Sequence, residues 1–141
     1  MKSFIFPVAA MTMILFLWSA SLFYTQDVCA ELIENIEEAS GQVYTIVKED
    51  KADDDNSYTD NKDTYVLEAV DNADKRWRKS VPVFSLFMNG DIIDEVSEKL
   101  VRCRIFAEVD DYEMFLAECG GIVNSLEKIM DLCSISATGI L

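Results

Sequence analysis

The chain opens on one long apolar segment, which spans residues 4–24. The twenty-one residues from Phe4 to Tyr24 are almost all apolar, and no formal charge occurs between Ser3 and Gln26. About twenty such residues, each rising 1.5 Å along a helix, cross a hydrocarbon core of roughly 30 Å. Pro7 falls near the start of the segment, where a missing backbone N–H matters least. The pattern predicts a membrane-spanning helix.

A second pattern follows the apolar segment directly. Apolar residues recur there at steps of three and four, while glutamates fall between them. This spacing is typical of one buried helix face. Nothing interrupts the pattern between the two parts, so we predict one helix that runs from the bilayer to about residue 49. Its predicted seam comprises Cys29, Leu32, Ile36, Ala39, Val43 and Ile46.

Three further helices are predicted beyond residue 50. Residues 51–63 are polar, acidic and turn-forming, which indicates a loop. A helix over about 64–79 follows, and residues 80–90 form an apolar break that contains Pro82 and Asn89-Gly90. The third helix begins near Asp91, with its seam at Ile93, Val96, Leu100, Cys103 and Ala107.

The last helix follows a turn at Asp110-Asp111, where an aspartate suits an N-cap. Its seam again shows steps of three and four, and Gly120-Gly121 within it indicate close packing. No convincing stretch alternates with a period of two. We therefore predict an all-α protein in which an N-terminal transmembrane helix continues into an antiparallel bundle of about four helices. The fourth seam comprises Phe115, Cys119, Ile122, Val123, Leu126, Ile129 and Cys133.

Charge around the apolar segment predicts its orientation. Only Lys2 and the α-amine precede it, whereas Asp27 and several glutamates follow. The positive-inside tendency places the N-terminus in the cytoplasm, residues 1–26 in the membrane as a signal anchor, and residues 27–141 outside. The alternative is a leader cleaved after Ala30, since Val28-Cys29-Ala30 has a small-x-small form. The apolar run exceeds the usual 7–15 residues of a leader and favours the anchor.

Composition narrows the functional classes. All 26 acidic residues follow position 26 with eleven of the 12 basic ones, so the outer part carries a net charge of −15. Such acidity disfavours nucleic-acid binding. The chain has no histidine, and the run Asp53 to Ser57 lacks the glycine and bidentate glutamate of a calcium loop. We therefore expect no enzymatic activity, no catalytic residues, no cofactor and no bound metal.

A basic cluster and the apolar break after it form the candidate contact site. The cluster runs from Lys75 to Lys79, and an antiparallel second helix returns it to the level of Glu31 to Glu38. Basic side chains there suit lipid phosphates, and apolar ones suit acyl chains or a partner's helices. The alternative is a buried connection between helices. The candidate residues are Lys75, Arg76, Trp77, Arg78, Lys79, Phe84, Leu86 and Phe87.

The cysteines offer one candidate disulfide. Cys103 and Cys119 each lie eight residues from Asp111, so an antiparallel hairpin places them at the same height. A location outside the cytoplasm permits oxidation. The alternative is a set of core thiols, because cysteines on apolar seams usually pack as small apolar residues. The absence of a C-x-x-C pair argues against zinc.

The second half of the chain resembles a bacterial family of uncharacterised proteins. The order of Trp77, the stretch Phe84 to Asn89, the acidic helix from Asp91, the turn at Asp110-Asp111 and the final Gly139 to Leu141 is similar to the family catalogued as domain of unknown function 4363. Its members are short single-pass proteins of low-GC Gram-positive bacteria with a helical outer domain. The resemblance implies architecture and location, and it implies no activity.

These observations together predict a non-enzymatic protein of the bacterial cell envelope. We expect a membrane-anchored accessory or tethering protein that packs its helices against another membrane protein or a second copy, with lipid contacting the N-terminal helix. The alternative is an extracytoplasmic ligand-binding bundle that senses and signals through a partner, because only a few residues remain in the cytoplasm.

Overall fold

The protein folds as four helices, seen here in a computed structural model that describes residues 5–50, 60–86 and 88–138. The helices are α1 (Ile5–Asp50), α2 (Asp60–Phe84), α3 (Gly90–Glu108) and α4 (Tyr112–Thr138), and the described residues contain no strand. Each helix packs on its chain neighbours, and α4 closes the bundle against α1. The predicted all-α antiparallel bundle with a long first helix is confirmed.

The core lies along the predicted seams. Every predicted seam residue of α1 and α3 is buried, and in α4 only Val123 stays partly exposed. The largest fully buried side chains are Trp77, Phe84 and Phe115, which come from two different helices. Burial of this kind drives the packing, because each aliphatic or aromatic side chain removed from water contributes roughly 1.5–3 kcal/mol.

Helix α2 is longer than the sequence predicts at both ends. It begins at Asp60, inside the predicted loop 51–63, whose residues 51–59 lie outside the described part of the chain. It also passes Pro82 and ends at Phe84, inside the predicted break. Pro82 is exposed in the last turn, and the Trp77 and Phe84 rings pack 5.2 Å apart across it. Core contacts therefore outweigh the one hydrogen bond that proline removes.

The helix boundaries at the other turns follow the prediction closely. Asn89 caps α3, since its Oδ1 accepts the Asp91 backbone N–H at 3.2 Å. Asp110 adopts a positive φ of 57°, and Asp111 Oδ1 accepts the Met114 backbone N–H at 3.2 Å. The prediction of close packing at the glycine pair is wrong for Gly120, which faces open space.

Helix α1 crosses residue 26 without a break. Its first part, residues 7–17, is exposed on every side, whereas its later part carries the buried seam. Within the described residues, α1 is the one helix with a stretch long and apolar enough to cross a membrane. Leu22 and Tyr24 already pack against the core, so contacts between α1 and the bundle begin before residue 27.

Candidate functional site

The end of the bundle nearest the apolar segment brings four stretches of the chain together. We call it the anchor end; it comprises residues 18–26, 80–86, 88–92 and 130–134. The Tyr24 hydroxyl lies 3.2 Å from Ser80 Oγ, which ties α1 to the end of α2. Gln26 Nε2 donates to Ser134 Oγ at 3.3 Å, which ties α1 to the end of α4. The apolar break thus returns to the base of the apolar segment, as the antiparallel topology requires.

A cavity of about 280 Å³ opens at the anchor end. Its walls are mainly apolar, and two of them, Trp18 and Leu22, belong to the apolar segment of α1 itself. The sequence pattern alone did not indicate this cavity, because it depends on the register between helices that are distant in the chain. The lining residues are Trp18, Leu22, Met88, Asn89, Ile92, Leu132 and Cys133.

The basic cluster lies beside α1 at the predicted height. Arg76 Nε donates to Glu31 Oε2 at 2.8 Å, and its guanidinium lies 5.9 Å from the centre of the Tyr24 ring. The hydrogen bond to Glu31 raises the pKa of Arg76. Arg78 pairs within its own helix, with Asp74 at 2.7 Å, while Lys75 and Lys79 extend into the surroundings. The cluster therefore presents Lys75, Arg78 and Lys79 outward, and Arg76 secures α2 to α1.

The predicted contact set needs one correction. Trp77 and Phe84 are fully buried, so they pack the core and do not form an outer surface. The period of α2 explains this, since the two residues are seven apart and share the inward face. Trp77 Nε1 also donates to Ser97 Oγ of α3 at 2.8 Å. Leu86 is 82% exposed, whereas Phe87 lies outside the described residues.

The structure brings Cys103 and Cys119 together. Their Sγ atoms lie 3.7 Å apart in the core, and both thiols are free. The hydrogen bond between Cys103 and Cys119, together with burial, raises the pKa of Cys103. The remaining two cysteines, Cys29 and Cys133, are buried between α1 and α4. Burial and the neighbouring Cys133 raise the pKa of Cys29 to about 12.

The rest of the described surface offers little chemistry. A wide hollow of about 470 Å³ lies between α1 and α4, with Glu37, Ser40, Asn124 and Glu127 among its lining residues. No group of three or more His, Cys, Asp or Glu side chains in residues 5–50, 60–86 and 88–138 is placed to hold a metal ion. The run Asp53 to Ser57 lies outside that part of the chain.

Comparison with known proteins adds no relative. The chain matches no protein-family model, no curated protein and no solved structure. The anchor end is therefore interpreted from its own residues.

Proposed function

We propose that the chain is a non-enzymatic, membrane-anchored accessory or tethering protein of the bacterial cell envelope. Its anchor is α1, its bundle lies outside the cytoplasm, and it acts by packing helices against a membrane partner. The observation that carries the proposal is the exposure of the apolar segment. Seven large apolar side chains between residues 8 and 17 are 50–72% exposed, and no other described helix covers them. They are Val8, Met11, Met13, Ile14, Leu15, Phe16 and Leu17.

The polar groups of this segment support a lipid environment. Thr12 Oγ1 donates to the Ala9 carbonyl at 2.9 Å, and Ser19 Oγ donates to the Phe16 carbonyl at 3.1 Å. Each hydroxyl is thus satisfied within α1 itself. Hydrocarbon supplies no partners for polar groups, so internal satisfaction is the condition for crossing it.

The length of the first part of α1 supports a position of the anchor end at the bilayer surface. Residues 5–17 are thirteen residues, or about 20 Å of helix, which is less than the roughly 30 Å of hydrocarbon. The remaining thickness falls on residues 18–24, where the bundle already flanks α1. The anchor end then lies in the outer interface, with Leu86 and Leu132, 82% and 51% exposed, facing lipid or a partner.

Site-specific photocrosslinking in native membranes tests this proposal. A photoreactive residue replaces Phe23 or Leu86, which are exposed at the anchor end. We expect one membrane protein, or a second copy of the chain, to be captured at high yield from both positions. Mass spectrometry of the purified adduct identifies the species.

Val109 supplies the matched control. It is 64% exposed, but it lies in the turn between α3 and α4 at the opposite end of the bundle. A photoreactive residue at Val109 should not capture the same species. Adducts with lipid alone, or equal capture from Val109, would contradict the tethering function. Digestion of a C-terminal tag by protease added to intact cells tests the outward location separately.

The cavity at the anchor end favours one second candidate, a ligand-binding sensor. An apolar molecule bound against Trp18 and Leu22 would contact the anchor helix directly. Its binding could therefore change the position of the proposed membrane-spanning part of that helix. Thermal unfolding of the full chain with a panel of small apolar molecules tests this candidate. A ligand-dependent rise in Tm that Leu132→Trp abolishes would support it, and an unchanged Tm throughout would remove it.

A further inference from the structure

The four cysteines of the chain lie in the bundle core on three neighbouring helices, and one pair of them is in direct contact. The chain has four cysteines in total, and each is buried in the bundle core. Two lie on α4, one on α3 and one on α1. Helix α4 packs against both α1 and α3, the two helices that carry the other two cysteines.

The first pair joins α3 to α4 far from the anchor end. Cys103 Sγ lies 3.7 Å from Cys119 Sγ. A disulfide has an S–S length of about 2.05 Å, so the two sulfur atoms must approach each other by about 1.7 Å to form one. The neighbouring Arg102 and Glu118 side chains already bridge the two helices at 3.4 Å and hold this register.

The second candidate pair, Cys29 on α1 and Cys133 on α4, lies close to the anchor end. The hydrogen bond from Gln26 to Ser134 fixes the register of these antiparallel helices. Within that register, the levels of Cys29 and Cys133 differ by about 3 Å along the helix axes, and both are buried, with 0% and 4% of their surfaces exposed. Their proximity also contributes to the raised pKa of Cys29.

The spacing along α4 keeps the two pairs apart. Cys119 and Cys133 are fourteen residues apart on one helix, which corresponds to about 21 Å. A disulfide needs Cα atoms about 4.4–6.8 Å apart. Exchange of partners between the pairs is therefore excluded in the folded bundle.

We propose that the chain is a substrate for disulfide transfer and acquires two bonds, Cys29–Cys133 and Cys103–Cys119. The oxidant is a disulfide, carried by a thiol–disulfide oxidoreductase outside the cytoplasm or by glutathione disulfide. One thiolate attacks the oxidant's disulfide and releases one thiol. The partner cysteine then displaces the second thiol, so each new bond sends two electrons and two protons to the oxidant.

The pairing has a structural consequence for the anchor. Cys29 follows the apolar segment by one or two turns, and Cys133 lies near the end of α4. Their bond fastens the base of the membrane helix to the last helix of the bundle. The oxidising location belongs to the proposed function, whereas the choice of partners rests on the packing of the helices alone.

Refolding of the full chain tests the pairing. The reduced, denatured protein is returned to detergent in the presence of glutathione disulfide, the remaining thiols are alkylated, and peptides are mapped without reduction. We expect linked peptides for Cys29–Cys133 and Cys103–Cys119 and no alkylated cysteine. Free thiols, persistent glutathione adducts or any other linkage in the folded protein would overturn the proposal.

Two double variants serve as matched controls. Cys29→Ala with Cys133→Ala should retain one bond, Cys103–Cys119. Cys29→Ala with Cys119→Ala removes one member of each pair and should form no internal bond. A bond in this second variant would overturn the assignment. Mapping of the unaltered chain does not depend on the folding of either variant, and the protease test of location is separate from both.

Discussion

The two parts of helix α1 meet opposite surroundings although they belong to one continuous helix. Residues 7–17 are apolar around the whole circumference and exposed, whereas from Thr25 onward a single apolar face is buried and glutamates occupy the rest. The first pattern suits a uniform apolar solvent, and the second suits a boundary between core and water. The contrast teaches that the distribution of apolar residues around a helix, more than their number, distinguishes a membrane part from a core part.

The boundary between the two parts lies inside the predicted anchor. Thr25 and Val28 are fully buried, and Tyr24 already bonds to Ser80. The apolar segment therefore ends within the bundle and not before it. A leader peptide cut after Ala30 would remove part of the core, which makes the comparison testable.

The largest expected effect on stability should appear when two N-terminally truncated chains are compared. A chain that begins at Trp18 keeps the buried Thr25, Val28 and Cys29, whereas a chain that begins at Glu31 loses all three. A fully buried aliphatic side chain contributes about 1.5–3 kcal/mol of a typical 5–15 kcal/mol. We expect the shorter chain to lose more than about 3 kcal/mol of unfolding free energy in urea, followed by circular dichroism. Equal stability would favour the leader interpretation.

Two isoleucines provide a sharper comparison within the same helix. Ile36 is 1% exposed and Ile14 is 66% exposed. Ile36→Ala should lower the free energy of unfolding of the bundle in detergent by about 2–5 kcal/mol, because it leaves a cavity. Ile14→Ala should change it by less than about 0.5 kcal/mol. A large loss from Ile14→Ala would show that the first part of α1 also packs within the folded protein.

The smallest expected effect is a dependence of stability on pH, and it arises only in the part of α1 that packs in the bundle. The first part of α1 carries no charged residue, whereas the packed part contains Cys29, whose pKa rises from 9.0 to about 12 because of burial and Cys133. Above pH 9 the unfolded chain loses a proton that the native state keeps. The contribution of this thiol to the free energy of unfolding is therefore fully present below pH 9. It should decrease by about 1.4 kcal/mol per pH unit between pH 9 and pH 12.

Urea unfolding of the reduced chain between pH 8 and pH 10.5 measures that slope. Cys29→Ala is the control, because lysines and tyrosines titrate in both proteins and cancel in the difference. The oxidised chain should show the shallower dependence of the variant. An identical slope in the reduced chain and in Cys29→Ala would mean that the thiol is not protected by the fold.

The sequence predicted the seams well because they depend on local periodicity. Every seam residue of α1 is buried, and the start of α3 at Asn89 follows ordinary capping. The limits of α2 were wrong for the opposite reason. Pro82 argues locally against a helix, and the core packing of Trp77 and Phe84 outweighs that argument. The polar stretch around Asp60 likewise argues locally against a helix, yet α2 begins there.

The candidate site was predicted only in outline. The return of Arg76 to Glu31 follows from antiparallel topology, which the sequence indicates. The cavity behind Trp18 and the proposed pairing of Cys29 with Cys133 depend on the register of α1 against α4, whose sequences are about a hundred residues apart. No turn of known length joins those two helices directly, so their relative height could not be read from spacing.

Because α1 is continuous, a change in the tilt of its first part is transmitted to the far end of the bundle. From Gln26 to Asp50 the helix extends about 36 Å with no proline, and the base is held on two sides. Under the proposed anchoring, a change of 10° in the tilt of α1 moves the far tip by about 6 Å, given the rise of about 1.5 Å per residue. Transmembrane helices adjust their tilt to the thickness of the bilayer. A thicker or thinner membrane would therefore change where this protein holds the far end of its bundle.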